Sequence, residues 1–237
     1  METQKPIGIT ERNFYHERVM KSILEKLSDT PLVLKGGTAL YLGYGLNRFS
    51  EDLDFDSSKK LNLLNKIKSA APQDITINDI NVKKDTDTVS RYIINYQVNE
   101  TGKSDALKLE ISYRTPALED EVVIKNGIRF ASLERLIDNK LSAAFDGEHT
   151  RSKGRDLFDL HFLAKNYPEH FTQNSALRLQ QFAQNPDALF EKYKDSVQDD
   201  ALLNKIMDTE SLALELNEMA NNLVVQRQRT VNNTPKL

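Results

Sequence analysis

Between Leu34 and Phe55 the chain places four of its nine glycines, at 36, 37, 43 and 45, ahead of two aspartates, Asp52 and Asp54. Residues two apart on a strand project to one face, so Asp52 and Asp54 would stand side by side while Leu53 and Phe55 turn into a core. Neighbouring carboxylates repel, and a cation between them removes the penalty. Mg²⁺ suits such a pair, since it takes one or two carboxylates and completes its shell with water and phosphate oxygens. The plainer reading is a solvated acidic strand face. Gly36, Gly37 and Thr38 lie where a short apolar run, Pro31 to Lys35, hands over to a helix. Glycine allows close backbone approach, and the free N–H groups of a first helical turn attract phosphate, which makes this a candidate phosphate cradle. A tight turn with an N-cap would look the same.

Two further clusters carry charge in unusual places. In the segment from Leu107 to Ile111, Lys108 and Glu110 alternate with Leu107, Leu109 and Ile111. Glu110 would complete a three-carboxylate cage with Asp52 and Asp54 if the two strands are neighbours, which sequence cannot prove. Leu133, Leu136, Ile137, Leu141, Ala144 and Phe145 form a helical stripe with Lys140 inside it. A lysine there either snorkels to the edge of the core or meets an anion. Downstream, Arg151, Lys153 and Arg155 precede a helix bearing Asp156 and Asp159. Asp156 would also serve the helix dipole simply by standing in the first turn.

The elements that must position these groups follow from periodicity. A helix is expected from Glu11 to Ser28 with Thr10 as N-cap, then strand, glycine turn and a helix from Thr38 to about Leu46. Strands are expected over 51–56, 75–82 with a change of phase, 92–98, 106–113 and 121–124, and helices over 132–146, 155–165 and the remainder. This reads as an α+β chain in two lobes, an α/β lobe over residues 1–130 and a helical lobe over 131–237 that completes an active cleft.

Composition narrows the chemistry. The 237 residues carry a formal net charge of −3 and are 39% hydrophobic, enough for a core. With no cysteine, disulfides, thiolate metal sites and a cysteine nucleophile are excluded, and the four histidines, His16, His149, His161 and His170, have no metal-ligand spacing. No window approaches the roughly 18–20 apolar residues of a membrane span, and the stretch from Met1 to Pro6 lacks a secretory apolar region, so a cytoplasmic protein without a membrane partner is expected.

Strand, Gly-Gly, helix, then Asp-hydrophobic-Asp with a later carboxylate resembles the DNA polymerase β-like nucleotidyltransferase superfamily. The fuller string, Gly36 to Leu40 and then Arg48 to Phe55, is similar to the AbiEii/AbiGii-type toxin family of type IV-like toxin–antitoxin systems, and the likeness extends over about residues 30–165. Two departures stand out: the Gly37–Asp52 gap is long, as in the toxin branch, and the third carboxylate is Glu110 where aspartate is common. The resemblance implies a polymerase β-like mixed sheet with covering helices followed by a helical lobe. It implies Mg²⁺-dependent transfer of a nucleoside monophosphate from an NTP, with two ions on Asp52 and Asp54 and Glu110 as ligand or base. Gly36, Gly37, Thr38, Arg48, Ser50, Lys140, Lys153 and Arg155 would bind the nucleotide, and Asp156 and Asp159 would line the site. A phosphate on Ser50 would crowd the metal. The implied acceptor is RNA, the tRNA 3′ end above all, with growth arrest restrained by a cognate antitoxin. A small-molecule or protein hydroxyl as acceptor, or a silent nucleotide- or partner-binding module, remains open from sequence.

Overall fold

The computed structural model describes residues 10–148 and 150–232; His149 and the N-terminal stretch considered above lie outside them. The chain divides into two compact units, residues 1–132 and 133–237.

In the first unit, helix α1 (Glu11–Leu27) begins at Thr10, whose side chain accepts from the Asn13 N–H, and buries Val19, Met20, Ile23, Leu24 and Leu27. Strand β1 (Val33–Lys35) passes directly into α2 (Gly36–Tyr44), and β2 (Leu53–Asp56) follows. After the short helix α3 (Leu64–Lys68) come the long strands β3 (Ile75–Asp85), β4 (Val89–Val98) and β5 (Ser104–Ser112), then β6 (Val122–Lys125) and β7 (Ile128–Ala131). They form one seven-stranded sheet in the order β3-β4-β5-β2-β1-β7-β6. It is mixed: β1 pairs antiparallel with β2 and parallel with β7, while β2 runs parallel to β5. Alternation in β4 buries Tyr92, Ile94, Tyr96 and Val98.

The phase change expected in β3 is a pair of register shifts against β4, at Ile77/Asp79 and Val82/Lys84, where an extra residue turns the following side chains over. Sequence patterning missed α3 and β7, which are five and four residues long and too short to show a period.

The second unit is helical among its described residues. Helix α4 (Leu133–Leu141) leads into a π-helical turn, Ser142–Asp146, rather than continuing as the single α-helix expected to Asp146. The carbonyl of Ala143 accepts the Arg151 N–H, and the Gly147 N–H reaches one residue further back, to Ser142 O. Arg178 braces the turn through Asp138, Ser142 and Asp146. Then come α5 (Gly154–Asn166), α6 (Gln173–Ala183), α7 (Pro186–Gln198), α8 (Leu203–Ile206) and α9 (Thr209–Asn232), with α9 packed on α5, α6 and α7.

Leu53 is fully buried between the two aspartates. Leu53→Ala is expected to cost ~2–5 kcal/mol by denaturant titration, the range for truncating a buried leucine without collapse of the cavity.

Candidate active site

Asp52 and Asp54 lie at the entrance to β2 and within it, near the middle of the sheet. The adjacency left open by the sequence is supplied by parallel pairing of β2 with β5, which sets Asp54 opposite Glu110. On its other side Asp54 faces Lys35 of β1, and Glu110 faces Arg91 of β4. A row of four charges, Lys35, Asp54, Glu110 and Arg91, therefore crosses four strands with its two acids in the middle. Cations answer them: Arg91 Nε donates to Glu110 at 2.6 Å, and Lys108 Nζ lies 2.6 Å from Asp52 Oδ2 and 3.7 Å from Asp54 Oδ1. Lys35 itself turns to the buried Asp56, 2.5 Å away.

Partial burial holds Asp54 above the usual carboxylate range; Lys108 opposes this, and the charges of Asp52 and Glu110 reinforce it. Lys108 is held high: desolvation pulls it down, but Asp54 and Asp52 outweigh that. Among the described residues no three His, Cys, Asp or Glu side chains converge as a metal cluster. The expected three-carboxylate cage is not assembled, because Arg91 draws Glu110 and Lys108 stands between the aspartates. The donor set nonetheless fits a hard divalent ion: all its ligand atoms are carboxylate oxygens, and an ammonium already occupies the point where Asp52 and Asp54 can share a cation.

The glycines abut this row. Gly36 has φ +73°, and a Cβ there would sit 3.5 Å from Asp54 Oδ2, so the helix start and the acid are in van der Waals reach. The N-cap, Lys35, makes no side-chain capping bond to α2. A Cβ on Gly37 would meet Ser50 Oγ at 2.8 Å and Arg48 Nη2 at 2.9 Å. Arg48 is 2% exposed, and Thr38 and Ser50 are also buried. The Thr38 hydroxyl donates to Asp52 O and lies 2.9 Å from Ser50 Oγ. These three side chains underlie the glycine turn.

In the helical unit Lys140 is 7% exposed, so it does not snorkel; its Nζ lies 2.9 Å from Asp156 and 2.5 Å from Asp159, which are 1% and 0% exposed. Arg151 closes on Asp156 from outside, Nε to Oδ2 at 2.7 Å and Nη2 to Oδ1 at 3.1 Å. Burial alone would raise Asp156, but Lys140 and Arg151 overcome it and hold the carboxyl at about 2. Lys153 is the exposed N-cap of α5, and Arg155 bonds Asp200 at 2.7 Å. Lys35, Arg91 and Lys108 went unassigned in the sequence; only Lys108, two residues before Glu110 on the same strand face, carried a visible signal.

A mixed sheet with paired aspartates on a central strand, a third carboxylate on the adjoining strand and a helix starting on two glycines at the acid has the make-up of a nucleotidyltransferase. The family "Nucleotidyl transferase AbiEii toxin, Type IV TA system" matches residues 18–231, and the chain belongs to it. It is similar to Helicobacter pylori JHP933, whose crystal structure matches at 55% identity over 95% of this chain and 97% of that one, TM-score 0.93. A second H. pylori crystal structure, of a protein assigned to the nucleotidyltransferases, matches at 55% identity over 94% and 99%, TM-score 0.91. No curated protein matches. The chain is thus a toxin-like nucleotidyltransferase, and no described helix is long and apolar enough to cross a membrane.

Because the folded state raises the pKa of Asp54, its ionised form opposes folding as pH rises; Asp54→Asn should stabilise the metal-free protein at pH 7 by a few tenths to ~1 kcal/mol, the gain vanishing in acid. Asp156 is the reverse: its contribution is complete above the ordinary value of 3.8 and is lost as pH falls toward about 2. Lys140→Ala, which removes the ammonium shared by two buried carboxylates, should cost ~3–5 kcal/mol in urea at pH 7.

Proposed function

We propose that the chain transfers a nucleoside monophosphate from an NTP to a hydroxyl of RNA, the tRNA 3′ end, releasing pyrophosphate, and that a cognate antitoxin restrains the resulting growth arrest. Membership in a family of toxin nucleotidyltransferases supports the reaction class and the antitoxin. The observation that carries the chemistry is Asp54 opposite Glu110, with Asp52 alongside and Gly36 against the carboxylate. The tRNA acceptor would place the protein in the cytoplasm.

Asp52 and Asp54, with Glu110 as third ligand or base, would hold Mg²⁺, two ions in the full site, which supplies charge neutralisation of the triphosphate and activation of the acceptor oxygen. For Lys108 this means giving up its place between the aspartates, and Glu110 must turn from Arg91 to act on either count. With no side-chain cap from Lys35, the N–H groups of the first turn of α2 at Gly36 and Gly37 would meet phosphate oxygens. Arg48, Thr38 and Ser50 act on the nucleotide through the backbone they hold, since all three are buried. Modification of Ser50 would require that packing to open. In the helical unit we assign phosphate contacts to Lys153 and Arg155; Lys140, sealed between Asp156 and Asp159, would meet a phosphate only where that ion pair opens.

The protein incubated with Mg²⁺, each α-labelled NTP and total cellular RNA should label a discrete tRNA-sized band with one nucleotide. Asp54→Asn, which is expected to fold, should lower that signal at least ~100-fold. Label on the protein itself would move the acceptor to a protein hydroxyl, and no transfer with any nucleotide would overturn the proposal.

A further inference from the structure

Asp52 stands one residue ahead of β2, outside the ladder that holds Asp54. Side chains tie its backbone instead. On one side Thr38 donates to Asp52 O; on the other, Glu51 O is met by His16 Nε2 at 2.8 Å. A carbonyl only accepts, so Nε2 carries the proton, which leaves Nδ1 facing the Tyr96 hydroxyl at 2.8 Å. That hydroxyl also lies 3.3 Å from Asp105 Oδ2. Arg12 clamps Asp105, with Nε 2.8 Å from Oδ2 and Nη2 3.1 Å from Oδ1, and its Nη1 lies 3.5 Å from Glu51 Oε1.

Three elements thus converge on one peptide: α1 with Arg12 and His16 four residues apart on one face, β4 with Tyr96, and β5 with Asp105 directly opposite Tyr96. His16 is 1% exposed and packs edge-on to Phe49, ring centroids 6.1 Å apart. Burial, then the Asp105 charge, pushes the Tyr96 hydroxyl above its ordinary value, so it stays a neutral donor. Burying His16 and Tyr96 in a line behind one carbonyl, with the half-buried Asp105 beyond them, is costly unless every partner is satisfied. No packing demand of α1 requires a histidine at this position, since its other buried residues are aliphatic or Met.

We infer that His16, oriented by Tyr96 and Asp105, is a positioning residue that fixes the Glu51–Asp52 peptide and so the direction in which Asp52 presents its carboxylate to a divalent cation. His16 holds the peptide before the Asp52 Cα and Thr38 holds the one after it, so both planes that set the Asp52 side-chain direction are tied. The kinetic readout rests on the nucleotidyl transfer proposed above; the metal readout does not.

The experiment measures Mn²⁺ binding to the full chain by electron paramagnetic resonance, beside NTP kinetics and thermal melts. His16→Phe keeps apolar bulk but removes the donor; His16→Gln places an amide N–H near the Nε2 position; His16→Asn places one near Nδ1. Loss of an outer-shell partner costs ~10–100-fold in metal affinity or activity, so His16→Phe should weaken Mn²⁺ binding and lower kcat by that factor with KM for NTP little changed. His16→Gln should recover most of both, and His16→Asn should not. A folded His16→Phe with wild-type Mn²⁺ affinity would reduce His16 to core packing. Should His16→Phe fail to fold, equal Mn²⁺ affinities for His16→Gln and His16→Asn would overturn the inference, as would a wild type that binds no Mn²⁺. A wild type that binds Mn²⁺ but labels no acceptor would overturn the proposed function while the variants still decide His16.

Discussion

Like charges held on neighbouring strands are the constraint on which the sheet unit depends. Asp54 and Glu110 are register partners, so the β2–β5 ladder forces two carboxylates together, and such a pair is destabilising by itself. The sheet answers with cations at both ends of the row, Lys35 and Arg91, and with Lys108 beside it. Repulsion is contained without being removed. Asp52 and Asp54 stay half exposed, so the negative field between them remains available to a ligand, with the ammonium of Lys108 as its resident counter-charge.

The helical unit solves the converse problem. A single ammonium, Lys140, faces two carboxylates, and all three are nearly sealed from water. Desolvation there is severe, and the close approach of Lys140 and Arg151 offsets it well enough to keep Asp156 ionised far into acid. Arg151 reaches its place because its N–H is tied to Ala143 O at the π-helical turn. Backbone irregularity and charge placement are therefore one feature: the helix gives up regular bonding where its carbonyl holds the arginine that covers the buried pair.

Legibility tracked the range of the interaction. The Asp52, Leu53, Asp54, Phe55 alternation shows in sequence because period 2 is local, and Leu53 and Phe55 are indeed buried. Thr10 showed as a cap for the same reason: its bond to Asn13 spans three residues. Arg91, 19 residues from Glu110, gave no sign, and neither did His16, 35 residues from the carbonyl it holds. The family resemblance put Arg48 on the nucleotide phosphates, and no local pattern marked it as buried under Gly37.

Sequence alone determined the chemical inventory: which acids share a strand face, where the backbone can come close, and that any metal must be held by oxygen or imidazole. Those properties depend on residue type and short-range geometry. Tertiary structure decided which charges neutralise which, since the residues of β1, β2, β5 and β4 that carry them meet only through sheet pairing. It also decided that Arg48 and Lys140 lie inside while Asp52 and Asp54 keep one side to solvent. Burial and register are properties of the packed sheet and helices, and they set the strength of each charge as much as its identity does.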